Sequence, residues 1–172
     1  MHKLTNRILT PRVVQSVLSL AVLLLVGTGC DTNSTQGFSI EPGLIIDFGR
    51  PVKMTINGTV VASRDEGIRD VVPIVRAGVP FDVTTSPMGG SCDYPSRSIV
   101  TMSGRVATVA VRDSIAYETC DYYLREHPRT DRITFAEPGE ATVVIRGGAY
   151  NEQGTPRPLP EVDLRFPIVV TR

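Results

Sequence analysis

The sequence predicts an all-β domain, an antiparallel two-sheet sandwich with one short helical turn, preceded by an N-terminal signal segment. From residue 44 onward, short segments rich in β-branched side chains alternate with clusters of Gly, Pro, Asn and Asp. No long stretch repeats its apolar residues at the 3.6-residue period of a helix. Asn57-Gly58 lies between two of the β-rich segments, which is the strongest short-range signal of a hairpin.

The N-terminus has the three parts of a secretory signal peptide. Lys3, Arg7 and Arg12 give it a basic start, and residues 17–26 are apolar at all but one position. This run is shorter than the roughly 20 apolar residues that a membrane-spanning helix needs. Small residues follow it, as they do before a signal-peptide cleavage site. Residues 1–29 are therefore predicted to be a signal peptide.

The exit from this segment reads Gly27-Thr28-Gly29-Cys30. It resembles the lipobox of bacterial lipoproteins, in which small residues precede a cysteine, although Gly27 stands where the family usually has leucine. The resemblance implies that the Cys30 thiol receives a diacylglycerol, that the chain is cut before Cys30, and that the new amine can take an acyl chain such as palmitate. Two acyl chains attach a protein stably to a membrane, whereas one is marginal. A plain signal peptide cut near Gly29 and an uncleaved anchor are the alternatives.

The mature chain is predicted to consist of a spacer and one domain. Residues 30–43 are small and polar, which is typical of a flexible linker. Residues 44–172 form the predicted β-sandwich. We expect the domain to lie in the cell envelope, facing the periplasm or the cell exterior, and the choice between inner and outer membrane stays open.

The charge distribution argues against nucleic acid as a partner. Three of the eighteen basic residues and none of the eighteen acidic residues lie in 1–29. The mature part is therefore slightly acidic, with its arginines scattered among acids. Proteins that neutralise phosphates need a basic patch, and the sequence shows none.

Strands are predicted wherever β-rich segments end at turn residues. The segments are 44–48, 52–56, 59–62, 71–76, 79–83, 98–102, 105–112, 132–136, 141–146 and 162–171. Tight turns are expected at 57–58 and 103–104, and Pro73, Pro80 and Pro167 are expected at strand edges, strand starts or bulges. Residues 120–127 are the one candidate for a helical turn. A closed barrel is the alternative architecture.

Residues 132–147 carry a second resemblance. Phe135 lies in a predicted strand, Glu137-Pro138-Gly139 forms a turn, and a β-branched strand follows. This resembles the late hairpin of bacterial immunoglobulin-like domains, and it implies an immunoglobulin-like sandwich without implying any activity. The chain has no tryptophan, so the cysteine–tryptophan–cysteine spacing of true immunoglobulin domains is missing.

Of the three cysteines, one is assigned to the lipid and two to a disulfide bond. With Cys30 assigned to lipid, Cys92 and Cys120 remain, in a compartment where disulfides persist. A bond between them closes a loop of about 29 residues and contributes roughly 3–4 kcal/mol in the chain-entropy model. The alternative is a nucleophile or metal site with His127, but a structural zinc needs about four ligands. We interpret His127 as a solvated loop residue.

The sequence shows no enzyme signature. A Gly-x-Ser-x-Gly elbow and a phosphate-binding glycine loop are both missing. Acidic residues cluster without the spacing of a calcium loop, and we interpret them as solvated. They are Asp113, Glu118, Asp121 and Asp131. No catalytic residue, metal or cofactor is predicted.

The leading hypothesis is a lipid-anchored, non-enzymatic domain that binds or scaffolds another protein or a glycan. Exposed tyrosines are enriched at recognition surfaces, and loops cluster at the ends of sandwiches. The candidate surface is therefore residues 87–97 and 117–129, with Tyr94, Tyr117, Tyr122 and Tyr123. Alternatively, the tyrosines cap the core. The rival functions are a small envelope hydrolase using loop carboxylates and a structural spacer or assembly subunit, which an unpaired edge strand would favour.

Overall fold

The computed structural model describes residues 38–90, 92–116, 125–150 and 158–172, and these ranges contain strands and no helix. The strands are β1 Phe38–Pro42, β2 Leu44–Asp47, β3 Arg50–Pro51, β4 Met54–Ile56, β5 Thr59–Ser63, β6 Gly67–Ile68, β7 Ile74–Arg76, β8 Phe81–Thr85, β9 Met88–Gly89, β10 Asp93–Pro95, β11 Ile99–Ser103, β12 Val106–Ala110, β13 Arg112–Ala116, β14 Arg125–Glu126, β15 Arg129–Ile133, β16 Gly139–Tyr150 and β17 Glu161–Thr171. The all-β class is confirmed. No described helix is long and apolar enough to cross a membrane.

The strands form three sheets. The nine-stranded sheet runs β11-β12-β16-β2-β9-β14, with β17 beside β16, β7 beside β17 and β3 beside β2. The five-stranded sheet runs β15-β8-β4-β5-β6, and the three-stranded sheet runs β1-β13-β10. Pairing is antiparallel except for β12–β16, β2–β16 and β7–β17, which are parallel. The expectation of two purely antiparallel sheets is therefore wrong, since β16 pairs with the parallel strands β12 and β2 along one edge and β17 pairs with the parallel strand β7.

A single apolar core lies between the nine-stranded and five-stranded sheets, as in a β-sandwich. The five-stranded sheet contributes alternate residues of β8, since Phe81 and Val83 are buried and Asp82 between them is exposed. The larger sheet contributes Val143 and Ile145 of β16, both fully buried. Burial of such a side chain contributes about 1.5–3 kcal/mol, so this core is the main source of stability.

Two predicted hairpins are confirmed. Strands β4 and β5 pair across Asn57-Gly58, whose φ angles of 48° and 78° are those of a type I′ turn. Strands β11 and β12 pair across Gly104-Arg105, one residue later than predicted, and Gly104 has a φ of 57°. Both turns need a left-handed backbone that glycine adopts without steric penalty.

The turn at Glu137-Pro138-Gly139 does not close a hairpin. Strand β15 pairs with β8 in the five-stranded sheet, whereas β16 belongs to the nine-stranded sheet. The turn carries the chain from one sheet to the other, which lets Phe135 and Ala141 on its two sides both enter the core. The hairpin expected from the second resemblance is therefore absent here.

Two boundaries also differ from expectation. The predicted spacer, 30–43, overlaps β1, which pairs with β13 over its whole length and so is not a flexible linker. Of the predicted helical turn, 120–127, residues 120–124 lie outside the described residues. Arg125–Glu126 is strand β14 and pairs with β9. The next residue, His127, precedes Pro128, and a residue before proline disfavours helical backbone.

The three strand prolines lie where the sequence predicts. Pro73 and Pro80 directly precede β7 and β8. Pro167 lies in β17 opposite Thr142, and the pairing of β17 with β7 begins only at Val169. A proline at these positions removes no ladder hydrogen bond from a neighbouring strand.

Candidate functional site

The three-stranded sheet and the segments beneath it form the candidate site. Its outward face carries a row of three side chains in register, since Ile40 and Tyr94 both lie opposite Ser114 on the central strand. Ile40 is 60% exposed and Tyr94 is 46% exposed. We call Ile40, Ser114 and Tyr94 the outer row. It presents an apolar and an aromatic side chain to solvent on one rigid strand framework.

The inward face of the same sheet is polar and buried. Strand residues alternate between faces, so Asp113 lies on the side opposite Ser114 and is only 5% exposed. Asp93, His127 and Arg129 lie around it, and each side chain is less than a tenth exposed. We call Asp93, Asp113, His127 and Arg129 the buried polar cluster.

Arg129, at the start of β15, joins three segments of the chain. Its Nη2 donates to Asp113 Oδ1 at 2.5 Å. Its Nη1 donates to the main-chain oxygen of Ser96 at 3.0 Å and to that of Arg112. The planar guanidinium makes these contacts from two nitrogens held in a fixed fork, whereas a lysine has a single donor nitrogen. Arg129 therefore fixes the end of β10 and the start of β13 to the five-stranded sheet.

Asp93 shapes the loop that precedes β10. Its Oδ2 accepts a hydrogen bond from the Gly90 N–H at 2.7 Å, and its own N–H donates to Gly90 O at 3.2 Å. Gly89 lies under the cluster, where a Cβ atom would be 2.8 Å from Asp93 Cβ and 3.2 Å from His127 Nε2. Only glycine lets the main chain approach these two side chains so closely.

His127 accepts a hydrogen bond within the buried polar cluster. Its main-chain N–H donates to Pro87 O at 2.8 Å, and its Nε2 accepts from Arg125 Nε at 3.2 Å. Burial lowers the pKa of His127, against the opposing attraction of Asp113. A neutral imidazole with a free electron pair on Nε2 fits this hydrogen bond. The expectation of a solvated histidine is wrong.

Burial also raises the pKa of Asp113, against the opposing effect of the Arg129 hydrogen bond. Glu41 lies directly opposite Asp113 on the inward face and is 7% exposed. Its Oε1 accepts from Ser39 Oγ at 3.0 Å. Asp113 is thus buried and paired, so its interpretation as a solvated loop acid is wrong. Glu118 and Asp121 lie outside the described residues.

The described side-chain contacts of the cluster tie its residues to one another and to neighbouring arginines. The Asp113 carboxylate is bound to Arg129, and the His127 electron pair is bound to Arg125. No described hydroxyl or thiol donates to His127 in the hydrogen bonds of the structure. Within the described ranges, no three His, Cys, Asp or Glu side chains are grouped so that they could hold a metal ion.

The structure describes only part of the predicted site. Tyr94 is exposed, as predicted, and Cys92 is 8% exposed just before β10. Tyr117, Tyr122, Tyr123, Cys120 and Cys30 lie outside the described residues. The Cys92–Cys120 disulfide and the lipid on Cys30 therefore stay predictions.

A separate pocket of about 180 Å³ lies beside the β2–β3 turn. Its lining includes three acids and three bases, namely Asp47, Asp65, Glu126, Arg50, Lys53 and Arg64. Asp47 is 1% exposed and forms an ion pair with Arg64, while its Oδ1 has no hydrogen-bond partner among the described residues. No local sequence pattern indicates this pocket, because its walls come from distant segments of the chain.

Arg129 and Asp113 were likewise not singled out as partners. One signal for Asp113 is present in the sequence, since Val111 and Ile115 flank it at the period of a strand and are buried on the same face. No comparable pattern points to Arg129.

Comparison of the chain with protein-family models, with curated protein sequences and with solved structures finds no match in any of the three.

Proposed function

We propose that the chain is a lipid-anchored, non-enzymatic protein of the bacterial cell envelope, whose immunoglobulin-like β-sandwich domain binds or scaffolds a protein or glycan partner. The binding surface in this proposal is the outer row together with Tyr117, Tyr122 and Tyr123, which the sequence pattern predicts to belong to the same surface. Lipid on Cys30 tethers the domain, and a disulfide joins Cys120 to Cys92, which lies just before β10.

One observation carries the proposal. A half-exposed tyrosine and an exposed isoleucine lie on either side of Ser114, on a sheet whose other face carries a buried ion pair. Burying an ion pair contributes little to stability compared with apolar packing. A buried pair is best explained here by the fixed geometry that it gives to β10 and β13. Rigid aromatic side chains lose little conformational entropy on binding, which makes them effective anchors.

The binding surface is tested with matched aromatic variants. Tyr94→Ala removes a side chain that is 46% exposed on the outer row, and Phe48→Ala removes one that is also 46% exposed but lies on the β2–β3 turn. After cross-linking in the native envelope, we expect Tyr94→Ala to reduce the cross-linked adducts of the protein and Phe48→Ala to leave them unchanged. Equal adduct yields for both variants would show that the outer row is not the binding surface.

The anchor is tested separately by intact mass. We expect the membrane form of the protein to begin at Cys30 and to carry the added mass of acyl chains. Cys30→Ser should abolish that mass and release the domain from the membrane fraction. A wild-type N-terminus upstream of residue 30 would refute the lipoprotein assignment without affecting the outer row.

A small envelope hydrolase is the second candidate, and the pocket beside β2 favours it. Asp65 and Glu126 are exposed carboxylates on a concave surface, whereas Asp47 is occupied by Arg64. Glycoside hydrolysis uses two carboxyl groups in one cleft, one as acid and one as base or nucleophile. Release of reducing sugar ends from purified cell-wall glycan that disappears in both Asp65→Asn and Glu126→Gln would support this function. No release by the wild-type protein would reject it for that substrate.

A further inference from the structure

Strand β11 is an unprotected edge of the nine-stranded sheet. All five residues from Ile99 to Ser103 are exposed, including Ile99 at 54%, Val100 at 38% and Met102 at 46%. Its pairing partner among the described residues is β12 on one side, and β11 ends the sheet on the other. An exposed apolar edge of this length is a template for pairing with another strand.

The other long edges of the described fold carry protection that β11 lacks. Edge strand β15 contains Arg129, Asp131 and Arg132, and edge strand β1 contains Glu41 and Pro42. Charges and prolines are the usual means of preventing edge-to-edge pairing. Strand β11 has neither between Ile99 and Ser103. The contrast within one molecule indicates that the β11 edge is kept open for pairing.

The register of β11 shows which groups are available. The loop between β11 and β12 has two residues, and the flanking pair is Ser103 opposite Val106. Because hydrogen-bonded and non-hydrogen-bonded pairs alternate along an antiparallel ladder, Val100 and Met102 turn their main-chain N–H and C=O groups away from β12. Val100 lies opposite Val109 and Met102 lies opposite Ala107, so each shares the core-side face of the sheet with a buried side chain. The core-side face of β11 is therefore only partly covered.

We propose that the occupant of this edge is a second copy of the chain, paired antiparallel through β11 about a two-fold axis. A strand that completes this edge must be uncharged and must place apolar side chains at alternate positions on the core side. Strand β11 itself meets both conditions, with Val100 and Met102. A two-fold axis perpendicular to the sheet puts the core-side faces of both copies on the same side, so these residues of the two copies cover one another.

The arginines that flank β11 disfavour one register of the two paired strands. A two-fold centred on Thr101 places Arg97 opposite Arg105 at both ends, and both side chains are exposed. Like charges directly opposite each other are destabilising. A two-fold centred on Val100 places Arg97 opposite Ser103 instead. The proposed dimer takes this Val100-centred register, which avoids the contact between arginines, independently of what the outer row binds.

Charge-swap variants of the full-length protein test the dimer in membranes. Val100→Lys and Val100→Glu each place like charges at the two-fold, and we expect each to lower the chemically cross-linked dimer at least about tenfold, a factor equivalent to roughly 1.4 kcal/mol. Co-expression of the two variants should restore the dimer, since Lys then faces Glu. Val79→Lys is the matched control, because Val79 is 48% exposed and lies in the turn before β8. It should leave the dimer at the wild-type level.

The outcomes separate this inference from the proposed function. Restoration by the mixed pair supports a second copy at β11, whatever Tyr94→Ala does to other partners. A wild-type protein that cross-links only to a different polypeptide, or a Val100→Lys dimer equal to that of Val79→Lys, would overturn it. Thermal unfolding of each variant shows whether the domain is folded, and loss of dimer in unfolded Val100 variants without rescue in the mixture would also count against the pairing.

Discussion

Removing Arg129 should destabilise the domain more than removing any exposed arginine. In Arg129→Met the apolar stem is kept, but the Asp113 carboxylate loses its counter-ion and the main-chain oxygen of Ser96 loses a donor. Both partners of the pair are less than a tenth exposed, so water cannot replace the lost contacts. Breaking a buried pair from one side costs about 3–5 kcal/mol. For a domain of this size, that lowers the melting temperature by roughly 10–20 °C.

The matched control for this experiment lies on the same strand. Arg132 forms an ion pair with Asp82, but the two side chains are 73% and 50% exposed. Exposed pairs contribute no more than about 1 kcal/mol, so Arg132→Met should change the melting temperature by a few degrees at most. Thermal unfolding followed by circular dichroism measures both variants. Equal losses in Arg129→Met and Arg132→Met would refute the role of Arg129 as the residue that joins the three segments.

Three further predictions concern the surroundings of Arg129. Because burial lowers the pKa of His127 below its ordinary value of 6.5, the folded state binds this proton less readily than the unfolded state. The resulting stability is present above pH 6.5 and is lost as the pH falls through the folded pKa. His127→Gln should flatten this part of a plot of unfolding free energy against pH. An unchanged slope would contradict a lowered pKa for His127. Gly89→Ala should destabilise by about 1–3 kcal/mol in denaturant titrations because its Cβ meets Asp93 at 2.8 Å, while Gly90→Ala, with its nearest contact at 3.6 Å, should be close to neutral. Cys92→Ser should lower the stability by roughly 3–4 kcal/mol if the disulfide forms, and identical unfolding of the wild type with and without reductant would argue that it does not.

The local elements could be predicted because their signals are local. Asn57-Gly58 needs a left-handed backbone at both positions, and the type I′ turn follows directly from that requirement. Pro73 and Pro80 mark the starts of strands for an equally local reason. The all-β class follows from the same short-range patterns, without knowledge of which strand pairs with which.

The sheet arrangement could not be predicted because it depends on long-range competition for edges. Residues 141–146 are β-rich in sequence, but nothing there shows that β16 pairs with β12, β2 and β17 at once. The turn at Glu137-Pro138-Gly139 has the chemistry of a hairpin. It connects two sheets instead, because the residues on its two sides both bury their apolar side chains in the core between those sheets.

In the candidate site, too, a local feature could be predicted from the sequence and the long-range contacts could not. Tyr94 was predicted from its type and its position in a loop-rich segment. Its support was not predicted, because Arg129, Asp113 and Ser96 are far apart in the chain and meet only through the pairing of β13 and β15 with other strands. The interpretation of His127 was wrong for the same reason, since Gly89, which lies close to its imidazole ring, is distant in sequence.

Site-specific photo-cross-linking can detect a partner bound at the outer row. A photoreactive phenylalanine at position 94 lies on the outer row, and one at position 48 has the same exposure on a different surface. In living cells, we expect a discrete adduct of the protein from position 94 and none of that mass from position 48. Identical adduct patterns from both positions, or no adduct from position 94, would contradict a binding function at this surface.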